Sequence, residues 1–210
     1  MNQQFDLSRE AILRLPVYFR YLREWMVQGK EKISSEEFAS VMGVTSSQVR
    51  RDMSCFGISG QKGYGYTCRH LHDTIARLLG IFGEQSVIII GAGNLGHALA
   101  YQRMFQGRGY RLTAVFDNDP AIIGSEINRH TVRAMETLPA FCRNRLPEIA
   151  VLAVPSHCAP EIADQLSDLG VPGILNFSHA DLTPKKHTLI ENVHLSDSLM
   201  VLSYRIQYER

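Results

Sequence analysis

The sequence predicts a small helical module followed by an α/β domain on a parallel sheet, closed by a C-terminal helix. Three observations carry this. First, the apolar run Val87-Ile88-Ile89-Ile90 enters Gly91-Ala92-Gly93-Asn94-Leu95-Gly96, and a second apolar run follows that ends in Asp117. Second, ahead of it lie two short segments that each open on a Ser/Thr-x-x-Glu/Gln cap, the first stopping at a glycine. Third, the later run Ile149–Val154 is unbroken, as in a strand covered on both faces, and Gly173–Phe177 reads as the next strand. The predicted architecture is a winged helix-turn-helix domain over 1–80, a Rossmann-type parallel-sheet domain over 81–195 and a C-terminal helix over 196–210.

Composition sets the bounds. The chain has 210 residues, 45% hydrophobic and 20% charged, which is ordinary for a globular protein. Net charge is +1, split as +3 over residues 1–80 (11 basic, 8 acidic) and −2 over 81–210 (11 basic, 13 acidic). The local basic excess, Arg50, Arg51, Lys62 and Arg69 against Asp52, is too modest to establish nucleic-acid binding by charge alone. Cys55, Cys68, Cys142 and Cys158 lack metal-site or redox-pair spacing, so free thiols and no metal are expected. Arg9, Glu10, Arg14 and Arg20 interrupt any apolar signal core, and no run approaches the roughly 18 residues of a membrane span. The expected location is the cytoplasm, away from membranes.

In the first module, Ile12, Leu15, Phe19, Leu22 and Met26 give residues 8–28 a helical stripe, with a kink or restart at Pro16 and a stop at Gly29. Ser34-Ser35-Glu36-Glu37 caps a second helix that Gly43 ends, and Thr45-Ser46-Ser47-Gln48 caps a third. Two short helices across a tight glycine turn read as a helix-turn-helix. On the third helix Ser46, Ser47 and Gln48 can donate to phosphates or base edges, and Arg50 and Arg51 can pair with phosphate or guanine. Val49, Met53 and Phe56 would face inward. The Gly-rich stretch Gly57–Tyr66 reads as a hairpin wing that places Lys62 on the adjacent backbone or minor groove.

In the second domain Gly91 permits a tight strand-to-helix turn, Gly93 lets the backbone approach a pyrophosphate, and Gly96 lets the helix lie close to the strand. The following helix is read through Leu99, Ala100, Met104 and Phe105, closed by Gly107 and Gly109. Asp117, 21 residues after Gly96, can accept both ribose hydroxyls and would repel a 2′-phosphate, which favours NAD(H). Arg111 falls at the far end of that strand. Pro155 and Asn176 fall at C-terminal strand ends, the edge where a nicotinamide would lie.

Space argues against catalysis. About thirty residues follow the sheet, read as one strand and one helix, which leaves no substrate domain. His157, His179 and His194 are scattered, and no catalytic residue is assigned. The segment Asp197–Tyr208, capped by Ser196 or Asp197, is apolar on much of its surface and must dock on its own domain or on a partner subunit. Two alternatives stand beside a DNA-binding sensor. One is a small nicotinamide-dependent oxidoreductase with an N-terminal interaction module. The other is a constitutive DNA-binding protein that holds NAD as a structural cofactor.

The chain resembles the Rex-type redox-sensing transcriptional repressors over nearly its whole length. The resemblance rests on Arg14–Arg20, Ser46–Asp52, Gly63-Tyr64-Gly65-Tyr66, Gly91–Gly96, Phe116–Pro120 and Gly173–Phe177. It implies a homodimer with swapped C-terminal helices, a palindromic double-stranded operator, Tyr64 in a DNA-binding wing, and release by NADH. It also implies an Arg–Tyr–Asp redox-coupling network, and here the chain departs from the pattern. Arg20 matches, but Gln102 stands at the Tyr position with Tyr101 one place earlier, and His194 stands at the Asp position. Cys55 replaces the usual Tyr, and Ser178-His179 the usual Ala-Pro. The expected consequence is retained NAD(H) binding with a redox response that is altered or lost.

Overall fold

The computed structural model describes residues 7–60, 65–102, 109–183, 185 and 187–209. The chain divides into two compact units, Met1–Gly83 and Glu84–Arg210.

The first unit opens on α1 (Arg9–Val27), capped by Ser8, whose hydroxyl accepts from the Ala11 amide at 3.3 Å. It is one helix through Pro16, not two. The Ile12 carbonyl that loses its partner there sits on a half-exposed residue, where water can serve it. The buried stripe is Ala11, Leu15, Tyr18 and Leu22, rotated from the predicted one, and Ile12 is exposed. Tyr18 draws the helix round: its ring lies edge-on to Phe38 and Phe56 at 5.0 and 6.1 Å, and its hydroxyl donates to Asp52 at 2.9 Å.

Strand β1 (Lys32–Ile33) leads into α2 (Ser35–Met42), whose Ser34–Glu37 capping box forms in both directions. Gly43 ends α2 in the left-handed region at φ 65°. Helix α3 (Ser46–Cys55) starts on Thr45, whose hydroxyl accepts from the Gln48 amide, and Val49, Met53 and Phe56 are buried as predicted. Among the described residues of the wing only β2 (Tyr66–Thr67) is a strand, and it pairs antiparallel with β1. Sequence reading passed over α4 (Cys68–Leu78), which packs against α1 through Leu71 and Ile75.

The second unit is a sheet of β3 (Gln85–Ile90), β4 (Tyr110–Asp117), β5 (Glu126–Ile127), β6 (His130–Ala134), β7 (Ile149–Leu152), β8 (Gly173–Asn176) and β9 (Leu189–Asn192). The order is β5-β6-β4-β3-β7-β8-β9, parallel throughout except for β5 on the edge. The six parallel strands therefore run 3-2-1-4-5-6, the order of a dinucleotide-binding sheet. The chain reaches β6 from β4 through a turn at Asp119–Gly124 and the β5–β6 hairpin, whose Asn128 and Arg129 both have positive φ. Helices α6 (Leu138–Asn144) and α7 (Ala159–Asp168) cover one face over Ile88, Ile90, Phe116 and Leu152. Helix α5 (Asn94–Ala100) packs with Val87, Ile89 and Val115 on the other. The predicted continuation of α5 through Met104 and Phe105 lies outside the described residues.

The final helix, α8 (Leu195–Tyr208), begins two residues earlier than predicted, and neither Ser196 nor Asp197 caps it. None of its residues is buried, and Leu199, Met200, Leu202, Tyr204 and Ile206 are exposed.

Candidate functional site

The turn from β3 into α5 needs its glycines for distinct reasons. Gly91 has φ 96°, and a Cβ there would stand 2.5 Å from the Ala153 carbonyl oxygen. A Cβ on Gly96 would meet the Gly91 carbonyl oxygen at 1.8 Å, so only glycine lets α5 start this close to the loop. Gly93 has nothing within 4 Å of its Cβ position, which leaves its backbone open to a ligand. Asn94 and Leu95 are exposed beside it, and no side chain caps α5. The first-turn amides and the positive end of the helix are thus available to an anion.

Asp117 ends β4 beside this turn. Its Oδ2 accepts the Ala92 amide at 2.6 Å and its Oδ1 the Asp119 amide at 2.8 Å. Each oxygen keeps a further lone pair for a hydroxyl. A cleft of about 440 Å³ runs from Gly91, Gly93 and Asp117 past Ile122 to Val154 and Pro155. That volume suits a small-molecule cofactor. The predicted Gly91, Gly93, Asp117 and Pro155 meet there. Ala92 supports Asp117, and Gly96 positions the helix. Arg111 lies at the opposite end of β4 on Glu84, as predicted.

Asn176 does not line this cleft. Its side chain is 1% exposed and fully engaged: Nδ2 donates to the Ala180 carbonyl and to Asn192 Oδ1, and Oδ1 accepts from the Ser178 amide and hydroxyl. It holds the end of β8 together. Cys158, Glu161 and Gln165 of the α7 region also line the cleft, and sequence reading did not single them out. Their signal was their place after the β7 strand end.

In the first unit, α3 presents Ser47 and Arg51 on its exposed side. Arg51 has no hydrogen bond or ion pair among the described residues, while Ser46 is half-buried. Gln48 turns inward: its Nε2 donates to Asp52 at 2.8 Å. Arg50 is exposed but engaged: its Nη1 donates to Ser35 Oγ at 3.0 Å and Glu36 Oε1 at 3.2 Å, bracing α2 against α3. Asp52 is the residue sequence reading missed. Burial pushes its carboxyl up, but bonds from Arg14, Gln48 and Tyr18 overcome this and hold it below its ordinary value. Lys62 and Tyr64 lie outside the described residues.

The redox-coupling candidates make separate contacts. Arg20 is exposed, its guanidinium 5.5 Å from the Tyr21 ring centre. Tyr101 accepts the Asn128 amide at 3.0 Å, which ties the end of α5 to the β5–β6 turn. Gln102 is exposed, and His194 Nε2 lies 2.9 Å from Asp181 Oδ1 at the root of α8.

Fold and site define a two-unit chain that joins a helix-turn-helix to a dinucleotide-type cleft. Comparison with known proteins agrees with both halves. Residues 6–54 match the family described as putative DNA-binding protein N-terminus, and residues 82–180 the CoA binding domain family. A redox-sensing transcriptional repressor Rex of Clostridium botulinum is 39% identical over 210 residues, covering 100% of both chains. Another from Thermoanaerobacter pseudethanolicus is 40% identical over 209 residues, covering 100% of this chain and 93% of its own. The crystal structure of RSP, a Rex-family repressor, in complex with β-NAD⁺ and operator DNA has a TM-score of 0.90 at 40% identity, over 97% of this chain and 94% of its own. RSP in complex with β-NADH gives 0.88 at 38%, over 97% and 96%. The chain belongs to the Rex family of redox-sensing transcriptional repressors.

Proposed function

We propose that this chain is a dimeric, cytoplasmic, NAD(H)-responsive repressor that binds a palindromic operator and leaves it as NADH rises. The observation that carries the reading is one of co-occurrence. An open glycine turn beside Asp117 and a capped helix displaying Arg51 share one chain that matches Rex repressors end to end. The glycine turn would seat the pyrophosphate, and Asp117 would take the adenosine ribose, its charge repelling a 2′-phosphate. NAD⁺ or NADH would then bias the chain between operator-bound and free states rather than undergo turnover.

Two features support the dimer. Helix α8 buries none of its apolar side chains. On the second unit's sheet an apolar groove of about 340 Å³ runs past Val87, Tyr110, Val151, Leu175 and Leu189. A second copy's α8 has the chemistry to fill it. His194 supports an altered redox response, because an imidazole facing Asp181 at 2.9 Å stands where the family pattern has an aspartate.

The deciding experiment is operator binding at fixed salt with NAD⁺, NADH and neither. Release by NADH, opposed by NAD⁺, is expected. Identical affinities under all three conditions would reject the sensor. Release by NADH that a His194→Asp variant reproduces unchanged would reject the contribution of His194.

A further inference from the structure

Asp52 of α3 is buried at 2% exposure, and its carboxylate is saturated. Arg14 of α1 grips it with two bonds, Nε to Oδ2 and Nη2 to Oδ1, both 2.7 Å. Tyr18 donates to Oδ2 at 2.9 Å, and Gln48 to Oδ1 at 2.8 Å. A carboxylate offers about four lone-pair sites, and all are taken.

The spacing gives this hub its meaning. Gln48 and Asp52 are four apart and form one ridge of α3, the ridge held against α1. Ser47 and Arg51 are also four apart and form the neighbouring ridge, which is exposed. Fixing the first ridge fixes the second. With side chains reaching about 5–6 Å from the helix axis, a 10° rotation of α3 moves their tips by about 1 Å. That is enough to spoil a bidentate contact to a base edge.

We propose that Arg14 is a positioning residue for DNA reading: by clamping Asp52 it sets the face α3 offers, and with it sequence discrimination. This rests on the assignment of α3 as the DNA-reading helix. Arg14 acts through Asp52 and is not a phosphate contact. Charge alone gives the opposite forecast for Asp52, since removing a carboxylate from a DNA-binding helix should tighten binding to a polyanion.

The test uses the full-length protein and two duplexes. One is selected by the wild type from a random-sequence pool, and the other is its scrambled counterpart. Affinities are read by fluorescence anisotropy across a salt series. Arg14→Ala and Asp52→Ala are each expected to lower the selected-to-scrambled ratio by about tenfold or more, the range of one lost bidentate contact. The double variant should be no worse than either single one. Arg14→Lys should not restore the ratio, because an ammonium cannot grip both oxygens in one plane. Arg14→Ala should leave the salt slope unchanged, whereas Arg51→Ala should lower it by about one.

An unchanged or improved ratio in Asp52→Ala overturns the proposal. So does rescue by Arg14→Lys, or a slope lowered by one in Arg14→Ala. If the alanine variants lose their circular dichroism, Tyr18→Phe and Gln48→Ala decide, and wild-type ratios in both overturn it. Failure of the wild type to select any sequence, or wild-type binding by Arg51→Ala, instead overturns the assignment of α3 on which the proposal stands.

Discussion

Gly93 and Gly96 lie three residues apart in the same turn, and alanine should act on them in different ways. At Gly96 the new Cβ would stand 1.8 Å from the Gly91 carbonyl oxygen, where real contacts do not fall below 3.0 Å. The start of α5 must therefore retreat by about 1.2 Å, the difference between those two distances, although Ile89 supports it from below at 3.5 Å. Overpacking of this kind costs about 1–3 kcal/mol. At Gly93 the backbone has φ −66° and ψ −168°, which alanine adopts, and nothing lies within 4 Å of the new methyl. The fold should accept Gly93→Ala within about 1 kcal/mol. A bound pyrophosphate should not, because the methyl occupies the space its oxygens need. Thermal melts and NADH calorimetry separate the two effects. Gly93→Ala is expected to melt like the wild type and bind NADH at least about tenfold more weakly. Gly96→Ala should lose both stability and binding. Wild-type NADH affinity in Gly93→Ala would refute the assignment of that space to the phosphates.

Three further outcomes follow from named contacts. Asp117→Ala removes the acceptor for the Ala92 and Asp119 amides as well as the proposed ribose partner, so NADH affinity should fall by about tenfold or more in calorimetry. Deleting residues 195–210 removes α8 and should convert a dimer to a monomer in sedimentation velocity. Acid should weaken the first unit through Asp52, whose carboxyl is held below its ordinary value of 3.8. The unfolded chain then binds the proton first, so this stabilisation is complete above the ordinary value and is lost as pH falls through the folded one. Urea midpoints should begin to drop below about pH 5, and the drop should be shallower in Asp52→Ala.

Local chemistry made much of the frame legible. Ser34 and Thr45 announced their helices because a cap bonds within three residues, and Gly91 and Gly96 announced the turn because no other residue fits there. What escaped depends on distant partners or on absent punctuation. Asp52 entered the sequence reading only as the counter-charge to a basic patch, since its grip comes from Arg14, 38 residues away. Asn176 read as a ligand group at a strand end, and only the neighbouring strand's Asn192 shows that it is spent. The β5–β6 hairpin turns on Asn128-Arg129 with both φ positive, and no glycine marks it. Helix α4 had a usable signal in Leu71, Ile75 and Leu78, overshadowed by the glycine-rich stretch before it.

The commitment of Asn176 constrains how a redox signal can arise. NAD⁺ and NADH differ by one hydride, yet moving a two-state protein from 1:99 to 99:1 takes about 5.5 kcal/mol of differential affinity. A new hydrogen bond from Asn176 cannot supply part of it, because Ser178, Ala180 and Asn192 already hold every polar atom of its side chain. What this strand end can do is transmit displacement. Asn192 also bonds the amide and carbonyl of Leu182, the Val193 amide donates to the Asn176 carbonyl at 2.8 Å, and His194 reaches Asp181 at 2.9 Å. The turn over residues 177–182 and the root of α8 are thus one bonded assembly. On the proposed reading, a ring seated at this strand end would therefore act on α8 through the contacts of Asn192 and His194 rather than through a new bond from the Asn176 side chain.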